Sequence, residues 1–112
     1  MKVSSLLYVE DDKAWRETIQ RQFSSAICQN VETAEDYLSA LEMIQRRKYD
    51  LIVMDGLEGD CFVLNKELQG MPHGDVVIFS GDDRNKGRAE KVGIPFFKKP
   101  NDLDRLIETY KD

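Results

Sequence analysis

Thiols and imidazoles are scarce in this chain: it has two cysteines, Cys28 and Cys61, and one histidine, His73. The two thiols match no metal or redox spacing, so a zinc site or a disulfide scaffold is excluded, and both read as small packing residues suited to a reducing cytosol. A basic excess is lacking as well. Lys and Arg number 16 against 21 Asp and Glu, giving a net charge of −5 and a pI near 4.9. That balance argues against a nucleic-acid-binding surface. Long hydrophobic runs are missing too; the longest are four residues, at Leu6–Val9, Leu51–Met54, Cys61–Leu64 and Val76–Phe79. None can insert into a membrane, and the N-terminus lacks the pattern of a secretory signal. With no repeat, low-complexity tract or linker, the expectation is one domain over residues 1–112. A chain of that length can bury a core without staples.

What is present is an alternation. Leu6–Val9, Leu51–Met54, Val76–Phe79 and the shorter Phe96–Phe97 are short apolar segments separated by helical patterns. Runs this short do not distinguish strand from helix by period, but their regular alternation with helices indicates parallel β-α-β units. A fifth strand, around Ile27–Val31, is required mainly by that alternation. Trp15, Ile19 and Phe23 form the apolar stripe of a helix over Lys13–Ser24. Thr33 is expected to open a helix over Ala34–Arg47, with Leu38, Leu41 and Ile44 facing inward and Asp36 in a loose capping box. Further helices are expected at Cys61–Leu68, Asn85–Val92 and Asp102–Tyr110. The fold class is therefore α/β: a doubly wound, five-stranded parallel sheet flanked by five helices.

In such sheets the functional crevice lies beyond the carboxyl ends of the strands. The residues placed there are Glu10, Asp11 and Asp12 after the first strand, Asp55 after the third, Ser80 after the fourth and Lys98 or Lys99 after the fifth. Two carboxylates about 4 Å apart repel by roughly 4 kcal/mol at an effective dielectric near 20, so such a cluster holds a proton or recruits a cation. An all-oxygen set suits Mg²⁺, which keeps several waters and takes one or two carboxylates plus phosphate oxygens. Asp55, ending a buried strand, has the character of a nucleophilic carboxylate. Lys99 would be its fixed positive partner, and Ser80 a donor to a phosphoryl oxygen. Asp12 is better read as the cap of the helix starting near Lys13. Lys98 reads as solvated, His73 as a surface turn residue, and Trp15 as packing close enough to the acids to sense a metal.

Together Val9-Glu-Asp-Asp12, Tyr49-Asp-Leu-Ile-Val-Met-Asp55, Val76-Val-Ile-Phe-Ser-Gly81 and Phe97-Lys-Lys-Pro100 resemble the receiver domain of two-component response regulators over essentially the whole chain. The resemblance implies the flavodoxin-like (CheY-like) strand order 2-1-3-4-5. It implies Mg²⁺ held by Glu10, Asp11, Asp55 and the backbone carbonyl of Leu57, with Asp55 as phosphoacceptor. Ser80 would be the hydroxyl that moves on activation, and Lys99 the lysine whose bond to the next proline is usually cis. Phe96 would be the aromatic switch, although it serves equally well as plain core. Gly81 would be the small residue admitting the phosphodonor, and the side chains at 57 and 82, Leu57 and Asp82, would set the hydrolysis rate. Implied partners are a histidine kinase or phosphotransfer protein and a downstream output protein. The output face would comprise the fourth helix, fifth strand and fifth helix, which could also support a homodimer. Such modules are signalling proteins that promote only their own modification.

The pattern departs from the family after Asp55. Gly59 stands where most receivers carry proline, and only 25 positions separate Asp55 from Ser80. The losses fall on the third and fourth helices. A pseudo-receiver, binding a partner without ever carrying phosphate, is the competing expectation. An aspartyl phosphatase is disfavoured because position 57 lacks the second aspartate such enzymes commonly use.

Overall fold

The computed structural model describes residues 2–112. The apolar runs become β1 (Ser5–Val9), β3 (Leu51–Met54), β4 (Asp75–Ser80) and β5 (Phe96–Lys98). The edge strand is β2 (Asn30–Ala34), and the parallel sheet has the order β2-β1-β3-β4-β5. Around it lie α1 (Lys13–Ala26), α2 (Tyr37–Arg46), α3 (Asp60–Leu68), α4 (Arg84–Val92) and α5 (Leu103–Tyr110), with a 3₁₀ turn at Leu57–Gly59 before α3. This is the flavodoxin-like fold that the sequence implied.

Alternate strand residues point to opposite faces, which divides the core in two. Leu7, Val9, Ile52, Met54 and Ile78 pack with Ala40 and Ile44 of α2, Leu64 and Leu68 of α3, and Ala89 of α4. Leu6, Tyr8, Leu51, Val53, Val77 and Phe79 pack with Ile19 and Phe23 of α1 and with Leu106 and Tyr110 of α5. Both faces of the central strands are thus covered, which is why their sequences read as unbroken apolar runs rather than alternating ones. Burying each such side chain contributes about 1.5–3 kcal/mol. α4 stops at Gly93, whose φ of 77° is the left-handed conformation that glycine adopts without penalty.

Two expectations need correction. The second strand is not at Ile27–Val31 but three residues further on. Ile27 and Cys28 belong to the end of α1, where both backbone N–H groups donate to the carbonyl of Phe23. Thr33 does not open a helix; it lies within β2, opposite Tyr8. The helix starts at Tyr37, where Asp36 Oδ1 accepts the Ser39 N–H at 2.7 Å. In this helix Leu38 faces outward, 63% exposed, and Ala40 is buried in its stead, while Ile44 is buried as expected.

Candidate functional site

The crevice lies over the ends of β1 and β3, where the chain reverses its direction of travel across the sheet. Glu10 follows β1 directly and is 1% exposed. Its Oε1 accepts from the Tyr8 hydroxyl at 2.8 Å and from Lys99 Nζ at 2.5 Å, while Oε2 accepts the Asp12 N–H at 3.2 Å. Asp55 follows β3, and its backbone N–H donates to the Val9 carbonyl, so β1 sets its position. Asp55 Oδ1 accepts from Lys99 Nζ at 2.7 Å, and Oδ2 accepts the Leu57 N–H at 3.0 Å. Lys99 follows β5 and has an 8% exposed side chain, packed 4.9 Å from the Trp15 ring centre and 5.7 Å from that of Phe79. The Lys99–Pro100 peptide is cis.

Charge and burial oppose one another here. Burial raises the Glu10 carboxyl above the usual range, the Asp55 charge adds to the rise, and Lys99 returns only part of it. Burial works against the Lys99 ammonium, but hydrogen bonds and attraction from Asp55 and Glu10 outweigh it, so Lys99 is shifted upward. The Tyr8 hydroxyl is also raised, first by burial and then by Glu10, and stays a donor.

Glu10, Asp11 and Asp55 each place a carboxylate oxygen within 4.8 Å of the other two. Bonds of about 2.1 Å to Mg²⁺ put two ligands at most about 4.2 Å apart, so the set closes on an ion with a small shift or with one carboxylate acting through water. Three carboxylates against one ammonium leave an excess of negative charge, and the donors are all hard oxygens. The residues therefore fit a divalent cation.

On the other side stands Ser80, 3% exposed at the end of β4. Its Oγ accepts the Asp82 N–H at 3.1 Å and Asn85 Nδ2 at 3.0 Å. Asp55, Gly56, Ser80, Gly81, Asp82, Asn85 and the arginines Arg84 and Arg88 are among the walls of an open cleft of about 690 Å³. A cleft of about 780 Å³ lies at the opposite end of β4 and β5, away from these groups. Asp82 is drawn off by Arg84, whose guanidinium donates to both carboxylate oxygens at 2.7 to 3.2 Å. That bonding holds Asp82 at about 2, below the usual carboxylate range.

The tight turn after Asp55 sets the remaining positions. Leu57 and Glu58 have φ of 51° and 55°, a conformation costing a non-glycine residue about 1–2 kcal/mol. The Leu57 side chain is 7% exposed and packs into the α2–α3–α4 core, while its carbonyl accepts the Asp60 N–H. Phe96 is half-buried against that same core. Asp12 Oδ1 caps α1 by accepting the Trp15 N–H. Lys98 is not simply solvated: it donates to Asp83 at 2.6 Å and to the Gly81 carbonyl at 3.1 Å, tying β5 to the loop after β4. Cys61 is fully buried, which pushes its thiol up to about 12 and leaves it inert.

Sequence reasoning missed Tyr8 and Asn85. Tyr8 carried a signal, because a hydroxyl inside a fully buried strand needs a partner, and Glu10, two residues on, lies on the same face. Asn85 carried none.

An acidic crevice facing an ammonium and a hydroxyl, at the switch point of a doubly wound parallel sheet, defines a class of α/β domain whose site fits a divalent cation. The response regulator receiver domain matches the chain over residues 6–111, and the chain belongs to that family. The receiver domain of a Francisella response regulator superposes with a TM-score of 0.76 at 26% identity, over 96% of this chain and 93% of that one. A CheY-like receiver domain from Methylobacillus flagellatus gives 0.81 at 22% identity, over 98% and 100%. NtrX from Brucella abortus, solved in complex with ADP, gives 0.80 at 30% identity over 97% of this chain, which spans 25% of that longer one. No curated protein matches the chain. None of the described helices is long and apolar enough to cross a membrane.

Proposed function

We propose that this receiver domain is a cytoplasmic phosphoacceptor that takes a phosphoryl group on Asp55 and signals by a change of conformation. One observation carries the reading: the Asp55 carboxylate is held by Lys99 at 2.7 Å within reach of the Glu10 and Asp11 carboxylates. An Asp55 oxygen attacks the phosphorus of a phosphohistidine or small acyl phosphate. The bond from phosphorus to the leaving group breaks, and the leaving group departs with the electron pair. Glu10, Asp11, Asp55 and, as a further ligand, the Leu57 carbonyl would hold Mg²⁺, which when bound neutralises charge on the transferring group. Lys99 stays beside Asp55 and offsets the charge of the product, and Ser80 turns its hydroxyl toward the new phosphoryl oxygens. Gly81 leaves the approach open, and Phe96 is the aromatic position that responds when Ser80 moves. Water later cleaves the acyl phosphate. Leu57 is packed away and Asp82 is engaged by Arg84, so neither is free to orient that water, which supports a long-lived phosphoryl state.

The partners would be a histidine kinase or phosphotransfer protein and an output protein reading the α4–β5–α5 face, through which a homodimer could also form. The chain acts as a signalling protein rather than as an enzyme on other substrates. Incubation with Mg²⁺ and acetyl phosphate, followed by intact-mass measurement, is expected to show one phosphoryl adduct on the wild type and none on Asp55→Asn. An adduct persisting in the mutant would place the acceptor elsewhere. The second reading, a pseudo-receiver, draws on the left-handed Leu57–Glu58 turn and on the Leu57 carbonyl already accepting the Asp60 N–H. It would be preferred if the wild type gave neither adduct nor beryllofluoride binding.

A further inference from the structure

Gly56 follows Asp55 with φ −61° and ψ −29°. Any residue adopts that conformation, so backbone freedom does not account for a glycine here. Its neighbour does. A Cβ at position 56 would stand 2.3 Å from Asn85 Nδ2 and 3.0 Å from Ser80 Oγ. Asn85 is itself unusual, being a carboxamide of α4 only 6% exposed. Its Nδ2 passes over Gly56 and donates to Ser80 Oγ at 3.0 Å, beside the Asp82 N–H at 3.1 Å. Both donors lie on the β4–α4 side of the crevice, so the hydroxyl is held from that side.

We propose that Asn85 is a positioning residue that latches Ser80 in the resting arrangement, and that Gly56 is the gap that admits it. The inference rests on the reading of Asp55 as phosphoacceptor. When Ser80 turns toward a phosphoryl group on Asp55, its oxygen leaves Asn85 Nδ2, and a nearly buried amide loses its partner. The bond exists in one of two states, so it biases the equilibrium toward rest. Removing it shifts the population toward the active arrangement.

The test uses Asn85→Ala, Asn85→Leu (which fills the space without a donor) and Gly56→Ala, whose Cβ displaces the carboxamide. Beryllofluoride affinity in Mg²⁺ is measured by fluorine NMR, and the Ser80 ¹³Cβ shift is recorded without beryllofluoride. All three variants are expected to bind about threefold to tenfold more tightly than wild type, the worth of one neutral hydrogen bond. Gly56→Ala combined with Asn85→Ala is expected to add nothing to either alone, because both remove one contact. The Ser80 resonance is expected to move in every variant, a signature that loss of packing alone does not produce in Asn85→Leu. Unchanged or weaker binding in both Asn85 variants overturns the latch. If the wild type does not bind beryllofluoride, the phosphoacceptor reading falls. The hold on Ser80 is then judged by its resonance, and an unmoved shift in Asn85→Ala overturns it.

Discussion

On the β1 side of the crevice, Lys99 joins Glu10 and Asp55 through ion pairs of 2.5 and 2.7 Å. On the β4 side, Ser80 is held by two neutral hydrogen bonds of 3.1 and 3.0 Å. Charge-assisted bonds are roughly twice as strong as neutral ones, and breaking a buried pair strands a charge. Exchanging a neutral bond for another partner costs about 1 kcal/mol or less. The same crevice thus has a stiff half, set by charge, which on the proposed function would hold the phosphoryl group and metal. Its other half is held weakly enough to move.

The largest effect is expected on the stiff side. Lys99→Met leaves Glu10 buried without its cation, and a loss of about 3 kcal/mol in urea denaturation is expected at pH 7. Glu10 is already raised by burial, so its contribution to stability is fullest below its ordinary range and is lost as pH rises through its native value. The deficit should therefore shrink at pH 5; an equal deficit at both values would break the comparison. Glu10→Gln is expected to behave differently, because glutamine keeps an acceptor for Tyr8 and Lys99 and removes a repelling charge, which offsets the loss of the acceptor for the Asp12 N–H. Stability should change by no more than about 1 kcal/mol. Mg²⁺ affinity should fall about tenfold, read from the emission of Trp15, the lone tryptophan, against whose ring Lys99 packs.

Ser80→Ala probes the movable side. It leaves Asn85 Nδ2 and the Asp82 N–H without their acceptor, and a loss of about 1 kcal/mol is expected. A loss equal to that of Lys99→Met would erase the distinction between the halves. The smallest effect on folding belongs to Arg84→Ala, since Arg84 is exposed and its pair with Asp82 is a surface one. No measurable change in the denaturation midpoint is expected. Freed of its partner, Asp82 can accept a hydrogen bond from water, so phosphoryl decay should quicken a few-fold; unchanged decay would detach Asp82 from the hydrolysis rate.

Legibility in the sequence followed burial. β1, β3 and β4 could be read because both their faces are covered and their residues form apolar runs. β2 could not, because only Val31 and Ala34 of this edge strand are buried and Asn30, Glu32 and Thr33 look like loop. The start of α2 was misplaced because Thr33 and Asp36 are both competent caps, and only the ladder pairing Thr33 with Tyr8 and Ala34 with Val9 decides between them. The convergence of Glu10, Asp11, Asp55, Ser80 and Lys99 was legible because each ends or follows a strand, and the rule for parallel sheets sends these strand ends to one crevice.

The strand order entered through the resemblance to receiver domains; by itself, the sequence determined the alternation of strands and helices and the gathering of acids, hydroxyl and ammonium at one end of the sheet. Those depend on local pattern and on rules of chain connection. Only the tertiary structure decided that Tyr8 and Lys99 share one oxygen of Glu10, that Leu57 turns into the core, and that Asn85 reaches over Gly56 to Ser80. Each is a contact between elements whose docking distance is set by side-chain volumes throughout the core, and no local pattern records that sum.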